Sequence, residues 1–243
     1  MAYDLPNLRL SEMTQLGVAL RSIGAGAQSM EEVAERTVNL LYHDLADSTL
    51  QTKACALVRF FLATECRNLT AELRDFGARL MHQEPPPGTR CLTLLATLGE
   101  NPAWQSRKTS NAHQAIPLPS ADVIQKFPMI SQLVMQLGLP VAAVVTPDPA
   151  LMLELEQRSY NVFFVPEAAG SPYIPAQDDF VLPYQIHSVL GFGGLLPSGD
   201  VYGVLMFMRI VLPKAIADMF RNAAMNLKLA LLPVLSQPVF RES

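Results

Sequence analysis

The stretch 185–234 constrains the fold most, because its pattern predicts a β-hairpin followed directly by a long helix. Two apolar runs, Ser188 to Leu196 and Val201 to Met208, flank the turn residues Pro197-Ser198-Gly199-Asp200, as in two antiparallel strands joined by a tight turn. The second run is apolar on both alternating faces, so we expect that strand to be covered on both sides. After Pro213, apolar residues recur every three or four positions, which predicts a helix that packs on the hairpin.

The remainder of the chain divides into further helices and strands. The predicted helices are Leu8 to Ile23, one that opens at Ser29, Thr70 to Met81, Ser120 to Leu137 with a kink or break at Pro128, and Pro149 to Arg158. The other predicted strands are Ala54 to Ala63, Cys91 to Leu98, Val141 to Val145 and Asn161 to Val165. Polar and turn residues predict loops at Gly99 to Ser120 and Pro166 to Pro183.

This order of elements predicts an α+β fold built on one antiparallel sheet of about five to six strands. Terminal helices should cover one face of the sheet, and an inserted helix and loop region should cover the other. With 243 residues, half of them apolar, the chain can bury one large core. We expect an N-terminal helix in 1–28, a single domain over 29–234 with an insertion at about 99–183, and a tail at 235–243.

Charge and hydropathy exclude several classes of protein. The net charge is −4 and Lys and Arg form no cluster, which argues against a nucleic-acid partner. The N-terminus lacks the basic and then apolar order of a signal peptide. The most apolar stretch, Leu133 to Val145, is interrupted by Gln136, Gly138 and Pro140 and is too short to cross a bilayer. We therefore expect a cytoplasmic protein without a membrane segment.

The three cysteines lack paired spacing and would leave one thiol over in any disulfide scheme, as is natural in a reducing cytoplasm. Cys55 and Cys91 fall in predicted strands, where a thiol usually behaves as a small apolar group. Cys66, between Glu65 and Arg67, is the thiol that we expect to be exposed. The histidines show no metal-ligand spacing, so no metal site is expected.

The strand Ser188 to Phe192, the turn and the step Val201-Tyr202-Gly203-Val204-Leu205, followed by a closing helix, resemble the end of a GAF domain. The resemblance extends more weakly to 29–63. It implies a sensory or regulatory domain that works with a signalling partner such as a histidine kinase, a nucleotide cyclase or a transcriptional regulator, although no such output motif is present here. Bilin-binding members use a cysteine followed by histidine, which this chain lacks, whereas haem stays open at His113 or His187.

The leading hypothesis is a non-catalytic sensory domain that binds a small ligand, of unspecified identity, between the sheet and the inserted segments. Because the predicted loops are poor apolar cover, we expect a concave space with polar groups at its edge. The expected ligand-binding residues are Arg59, His113, Tyr184 and His187. Filling of this space by Trp104 or Phe163 would favour a second hypothesis, a ligand-free dimerisation and relay module.

A third hypothesis is a small thiol-based enzyme, such as the free methionine sulfoxide reductases found among GAF-like proteins, with Cys66 as the candidate nucleophile.

The terminal helices also predict a homodimer. The last helix has a second apolar edge beyond the one that must cover the sheet, and the first helix carries leucines with little nearby to bury them. Exposed apolar stripes of this kind mark partner surfaces. The expected interface residues are Leu16, Leu20, Met225, Leu229 and Leu232.

Overall fold

The computed structural model describes residues 3–49, 51–110, 113–146 and 162–241. Its strands are β1 (Tyr3–Asp4), β2 (Leu45–Asp47), β3 (Thr52–Lys53), β4 (Cys55–Glu65), β5 (Arg90–Gly99), β6 (Ala115–Leu118), β7 (Val162–Val165), β8 (Ser188–Leu195) and β9 (Val201–Met208). Its helices are α1 (Leu10–Ser22), α2 (Met30–Asp44), α3 (Ala71–Met81), α4 (Ala121–Gln125), α5 (Pro128–Gln136), α6 (Val141–Val145) and α7 (Lys214–Leu231). The helix predicted at Pro149 to Arg158 lies outside the described residues.

A six-stranded antiparallel sheet forms the centre of the fold, with strand order β6-β5-β4-β9-β8-β7. The α+β class and the antiparallel sheet predicted from the sequence are confirmed. The hairpin β8–β9 lies next to β4, so the segment that most constrained the prediction supplies a central strand. A small sheet of β1, β2 and β3 was not predicted, because strands of two or three residues are too short to show a periodicity.

One face of the sheet packs against α2 and α7, and α1 packs against α7 in the same core, as expected for the terminal helices. The alternation predicted for β9 is confirmed. Its side chains on this face are Tyr202, Val204, Met206 and Met208, and those on the opposite face are Val201, Leu205 and Phe207. The hydroxyl of Tyr202 donates a hydrogen bond to the carbonyl of Ala224 at 2.7 Å, which ties α7 to the sheet.

The inserted segments cover the opposite face with a second apolar core rather than with loose polar loops. Buried side chains of α4, α5 and α6 contribute to it, together with Ala168, Ile174 and Val181 from the stretch predicted as a loop and Ile186 just after it. The expectation that this region is poor apolar cover is therefore wrong. The isolated apolar side chains between polar and turn residues gave no periodicity from which this packing could be predicted.

The strand predicted at Val141 to Val145 is wrong, because these residues form helix α6. Pro140 precedes the helix, and its carbonyl accepts a hydrogen bond from the amide of Ala143 at 2.9 Å. Ala143 and Val144 are buried in the second core. Packing of this short turn against α4 and α5 therefore overrides the β-branched composition.

The first helix is part of the main core. Leu16 and Leu20 are fully buried, and α1 packs against α7. The interface role predicted for these two leucines is wrong, because the chain's own last helix buries them. Met225, Leu229 and Leu232 do remain exposed, so their role in a dimer stays a prediction.

The C-terminal residues predicted as a tail are held on the first turn of α2. The amide of Glu31 donates to the carbonyl of Val239 at 2.9 Å, and the Glu31 carboxylate accepts from the amide of Arg241 at 2.9 Å. Arg107 pairs with the same carboxylate and lies 4.8 Å from the ring centroid of Phe240. Glu31 therefore joins the helix, the inserted segment and the C-terminal segment.

Cys66 and Cys91 form a disulfide, so the expectation that the cysteines are unpaired and that Cys66 is an exposed thiol is wrong. Their sequence separation of 25 shows no motif, and only the pairing of β4 with β5 brings them together. Cys55 is buried as predicted. Its burial raises the pKa of the thiol to about 12, so it is inert as a nucleophile near neutral pH.

Candidate functional site

One row of side chains across the second face of the sheet contains a buried charge. The strand register places Thr97, Arg59, Leu205, Gly191 and Phe163 next to one another on β5, β4, β9, β8 and β7. Arg59 is thus a central residue of the central strand, and it faces the inserted segments rather than the helices.

The guanidinium of Arg59 is buried without a counter-ion among the described residues. The residue is 9% exposed and its Nε has no hydrogen-bond partner within the described ranges, where its side-chain hydrogen bond joins Nη1 to Nδ1 of His113 at 3.4 Å. Burial lowers the pKa of Arg59 to about 10. Charges in protein interiors are ordinarily paired, as Arg90 and Glu31 are in this chain. Arg59 differs from these two because the described residues give it no counter-ion.

Two further features lie beside this charge. The Oγ1 atom of Thr97, a residue that is 3% exposed, has no hydrogen-bond partner. His113 has a positive φ of 62°, which is uncommon for a residue with a side chain and is found disproportionately at binding sites. Burial of the ring and the positive charge of Arg59 lower the pKa of His113. The residue as a whole is exposed, so the imidazole separates Arg59 from solvent on that side.

Apolar side chains fill the rest of this face. Phe163 is fully buried, and a Cβ added to Gly191 would lie 3.2 Å from Phe163 and 2.8 Å from Leu205. Trp104 packs against Gly99, where an added Cβ would meet the indole at 2.8 Å. The expected open space is therefore occupied at both ends, by Trp104 and by Phe163.

An aromatic group holds the Trp104 end in place. The ring centroid of Trp104 lies 4.4 Å from that of Tyr184 and 5.5 Å from that of Phe180, and Phe180 lies 4.9 Å from Phe207 of β9. The side chain of Asn101 donates a hydrogen bond to the Tyr184 hydroxyl at 2.6 Å. These contacts join the two segments predicted as loops directly to each other and to the sheet.

The four predicted ligand-binding residues occur as two pairs. Arg59 contacts His113, whereas Tyr184 and His187 line a separate cavity of about 420 Å³ together with Arg209. His187 is exposed, and its backbone amide donates to the carbonyl of Met208 at 2.8 Å. Strand-end geometry thus explains His187, and the first pair contains the charge that lacks a counter-ion among the residues that the structure describes.

Arg90 shows how the same kind of side chain is compensated elsewhere in the chain. It is 3% exposed, and its guanidinium lies 3.0 Å from the carboxylate of Asp200 and also donates to the carbonyl of Ala63. It lines a groove of about 690 Å³ at the end of the sheet. Since its charge is paired, Arg90 is a suitable reference for Arg59.

Thr97 was not identified from the sequence. A threonine within an apolar run was a visible signal, but only the strand register places it beside Arg59.

Among the described residues, no cluster of His, Cys, Asp and Glu is arranged to hold a metal ion. Within the same ranges, no helix is both long and apolar enough to cross a membrane. Comparison of the chain with protein-family models found no match, and comparison with curated proteins found none that is significant.

Proposed function

We propose that this chain is a GAF-like regulatory domain that binds a small ligand between the sheet and the inserted segments, at the polar cluster of Arg59, Thr97 and His113. The sheet with helices on one face and an insertion on the other supports the GAF-like part of the proposal. A signalling partner such as a histidine kinase or a nucleotide cyclase, and a cytoplasmic location, remain parts of this proposal.

The observation that carries the proposal is the buried guanidinium of Arg59, which has no counter-ion in the part of the chain that the structure describes. Burying a charge without a partner is strongly unfavourable, whereas a ligand that pairs with it returns this free energy as affinity. A regulatory domain responds to a ligand only if the ligand changes the relative free energies of its conformations. Pairing the Arg59 charge with a ligand would supply such a change at the centre of the sheet.

Native mass spectrometry of freshly purified protein tests the proposal. We expect a bound mass that is lost on denaturation, and hydrogen exchange in 99–120 and 166–183 that is faster after the ligand has been removed. If the native mass equals the sequence mass and both segments are already fully protected, the ligand-binding proposal fails.

The second candidate is a ligand-free dimerisation and relay module, and the filling of the face by Trp104 and Phe163 favours it. Its partner surface would be the exposed edge of α7 formed by Met225, Leu229 and Leu232. A thiol-based enzyme would need the disulfide of Cys66 to be reduced, and an activity screen of the Cys66→Ser variant under reducing conditions tests that hypothesis.

A further inference from the structure

We infer that Arg59 and Thr97 form a recognition site for the carboxylate group of a small monoanionic ligand. This inference rests on the proposed function and specifies the chemical class of the ligand at the same site.

The first argument is the hydrogen-bonding capacity that is left over at Arg59. Nη1 contacts His113, and Nε is buried and has no hydrogen-bond partner among the described residues. Nε and Nη2 form one edge of the guanidinium, with two parallel N–H donors in a fixed geometry. A carboxylate matches this edge with two oxygens, which is the strongest pairing available to an arginine side chain.

The second argument is the position of Thr97. Arg59 and Thr97 are directly paired across β4 and β5 and point to the same face, where paired Cβ atoms lie about 4.5–5.5 Å apart. The Thr97 hydroxyl can donate one hydrogen bond, and its oxygen has no partner now. A carboxylate bound to the Arg59 edge has lone pairs left over, so the same ligand group satisfies both side chains.

The third argument is the balance of charge, which favours a carboxylate over a phosphate. Arg59 supplies a single positive charge. His113, whose pKa is lowered by burial and by Arg59, is neutral at pH 7 and adds none. A phosphate monoester carries about −1.5 to −2 at this pH and would leave excess negative charge among the neighbouring apolar side chains Leu57 and Phe61.

The route to the site runs past His113. This residue is exposed, adopts a left-handed backbone conformation and contacts Arg59 only through a long interaction of 3.4 Å. Such a contact is weak, so a movement of the imidazole that admits the ligand loses little. Within the row across the sheet, Thr97 lies on one side of Arg59 and Leu205 on the other. Leu205 packs near Gly191 and closes that second side.

The test is a titration of the dialysed 243-residue chain with acetate, butyrate, benzoate, the neutral isostere butyramide and inorganic phosphate, at constant ionic strength. The readout is the proton–nitrogen NMR signal of the Arg59 Nε–H group, assigned by its absence in the Arg59→Lys variant. We expect a saturable shift with at least one carboxylate and none with butyramide. Calorimetry with that carboxylate should show binding at least tenfold weaker in Arg59→Lys and about fivefold weaker in Thr97→Val.

An Arg209→Lys variant is the matched control, because Arg209 is paired with Glu100 and lines the other cavity, and its affinity should equal that of the wild type. Saturation by phosphate but by no carboxylate would overturn the inference. Equal affinity in the wild type and Arg59→Lys would also overturn it, because binding would then lie elsewhere. If no anion shifts the signal although native mass spectrometry detects a ligand, the carboxylate class is wrong while the proposed function stands.

Discussion

Replacement of Arg59 by methionine should stabilise the ligand-free protein. A pKa of about 10, against a reference of about 12.5, corresponds at about 1.4 kcal/mol per pKa unit to roughly 3 kcal/mol of unfavourable free energy in the charged form. Methionine retains an unbranched apolar chain and removes that penalty. The lost contact with His113 offsets about 1 kcal/mol, so we expect the free energy of unfolding to rise by about 2 kcal/mol.

Urea unfolding at pH 7 measures this change. The protein should first be unfolded, dialysed and refolded, so that no bound ligand contributes to its stability. With a dependence on urea of about 3 kcal/mol/M, the unfolding midpoint should rise by roughly 0.7 M.

The matched comparison is Arg90→Met. Arg90 is also buried, but its removal leaves the carboxylate of Asp200 without its partner at 3.0 Å, so this variant should lose about 3 kcal/mol. Opposite signs for the two variants support the reasoning. If Arg59→Met is destabilised as much as Arg90→Met, then Arg59 has a counter-ion within the chain and the ligand argument is refuted.

Three further outcomes are expected. The double variant Cys66→Ser/Cys91→Ser should lose about 3 kcal/mol of stability in a urea titration, as expected for opening a loop of this size. Stability should decrease as the pH falls below about 6.5, because the unfolded chain binds the His113 proton more readily than the folded chain does, and His113→Asn should weaken this dependence. If α7 forms a homodimer, light scattering at tens of micromolar (roughly the range of modest interfaces) should show a dimer for the wild type and a monomer for Leu229→Glu.

Two of these have a control in the chain. Cys55→Ser leaves the disulfide intact, and a thiol assay of the unfolded, unreduced wild type should find one free thiol. Val211 is 71% exposed and lies outside the α7 edge. The Val211→Glu variant should therefore show the same oligomeric state in light scattering as the wild type. A wild-type monomer would contradict the dimer, and a pH profile unaltered by His113→Asn would contradict the role of His113.

The sequence was informative wherever a long segment had one clear periodicity. β9 and α7 were predicted to within a residue or two because each has eight or more residues with a consistent pattern. The Cys66–Cys91 bond could not be predicted, because it depends on strand register. The strand predicted at 141–145 was wrong for a related reason, since tertiary packing decided between two local conformations and produced a helix.

The site was predicted only in part for the same physical reason. Arg59 was recognised as a polar residue within an apolar strand, and its contact with His113 fits that expectation. The separation of Tyr184 and His187 from this pair depends on the path of the inserted segments, which carry little periodicity. Thr97 became a candidate only when the register between β4 and β5 was available.

The position of β4 has a consequence for the chain while it is being synthesised. Its two neighbours in the sheet are β5 and β9. Strand β5 follows β4 closely in the sequence, whereas β9 is the last of the six strands to be synthesised. Until β9 emerges, β4 is an open edge that is apolar on both faces, which favours aggregation. Arg59 is its only charged residue before Glu65, and a charge within such an edge discourages intermolecular pairing. We therefore expect Arg59→Met to yield less soluble protein on expression even though the folded protein is more stable.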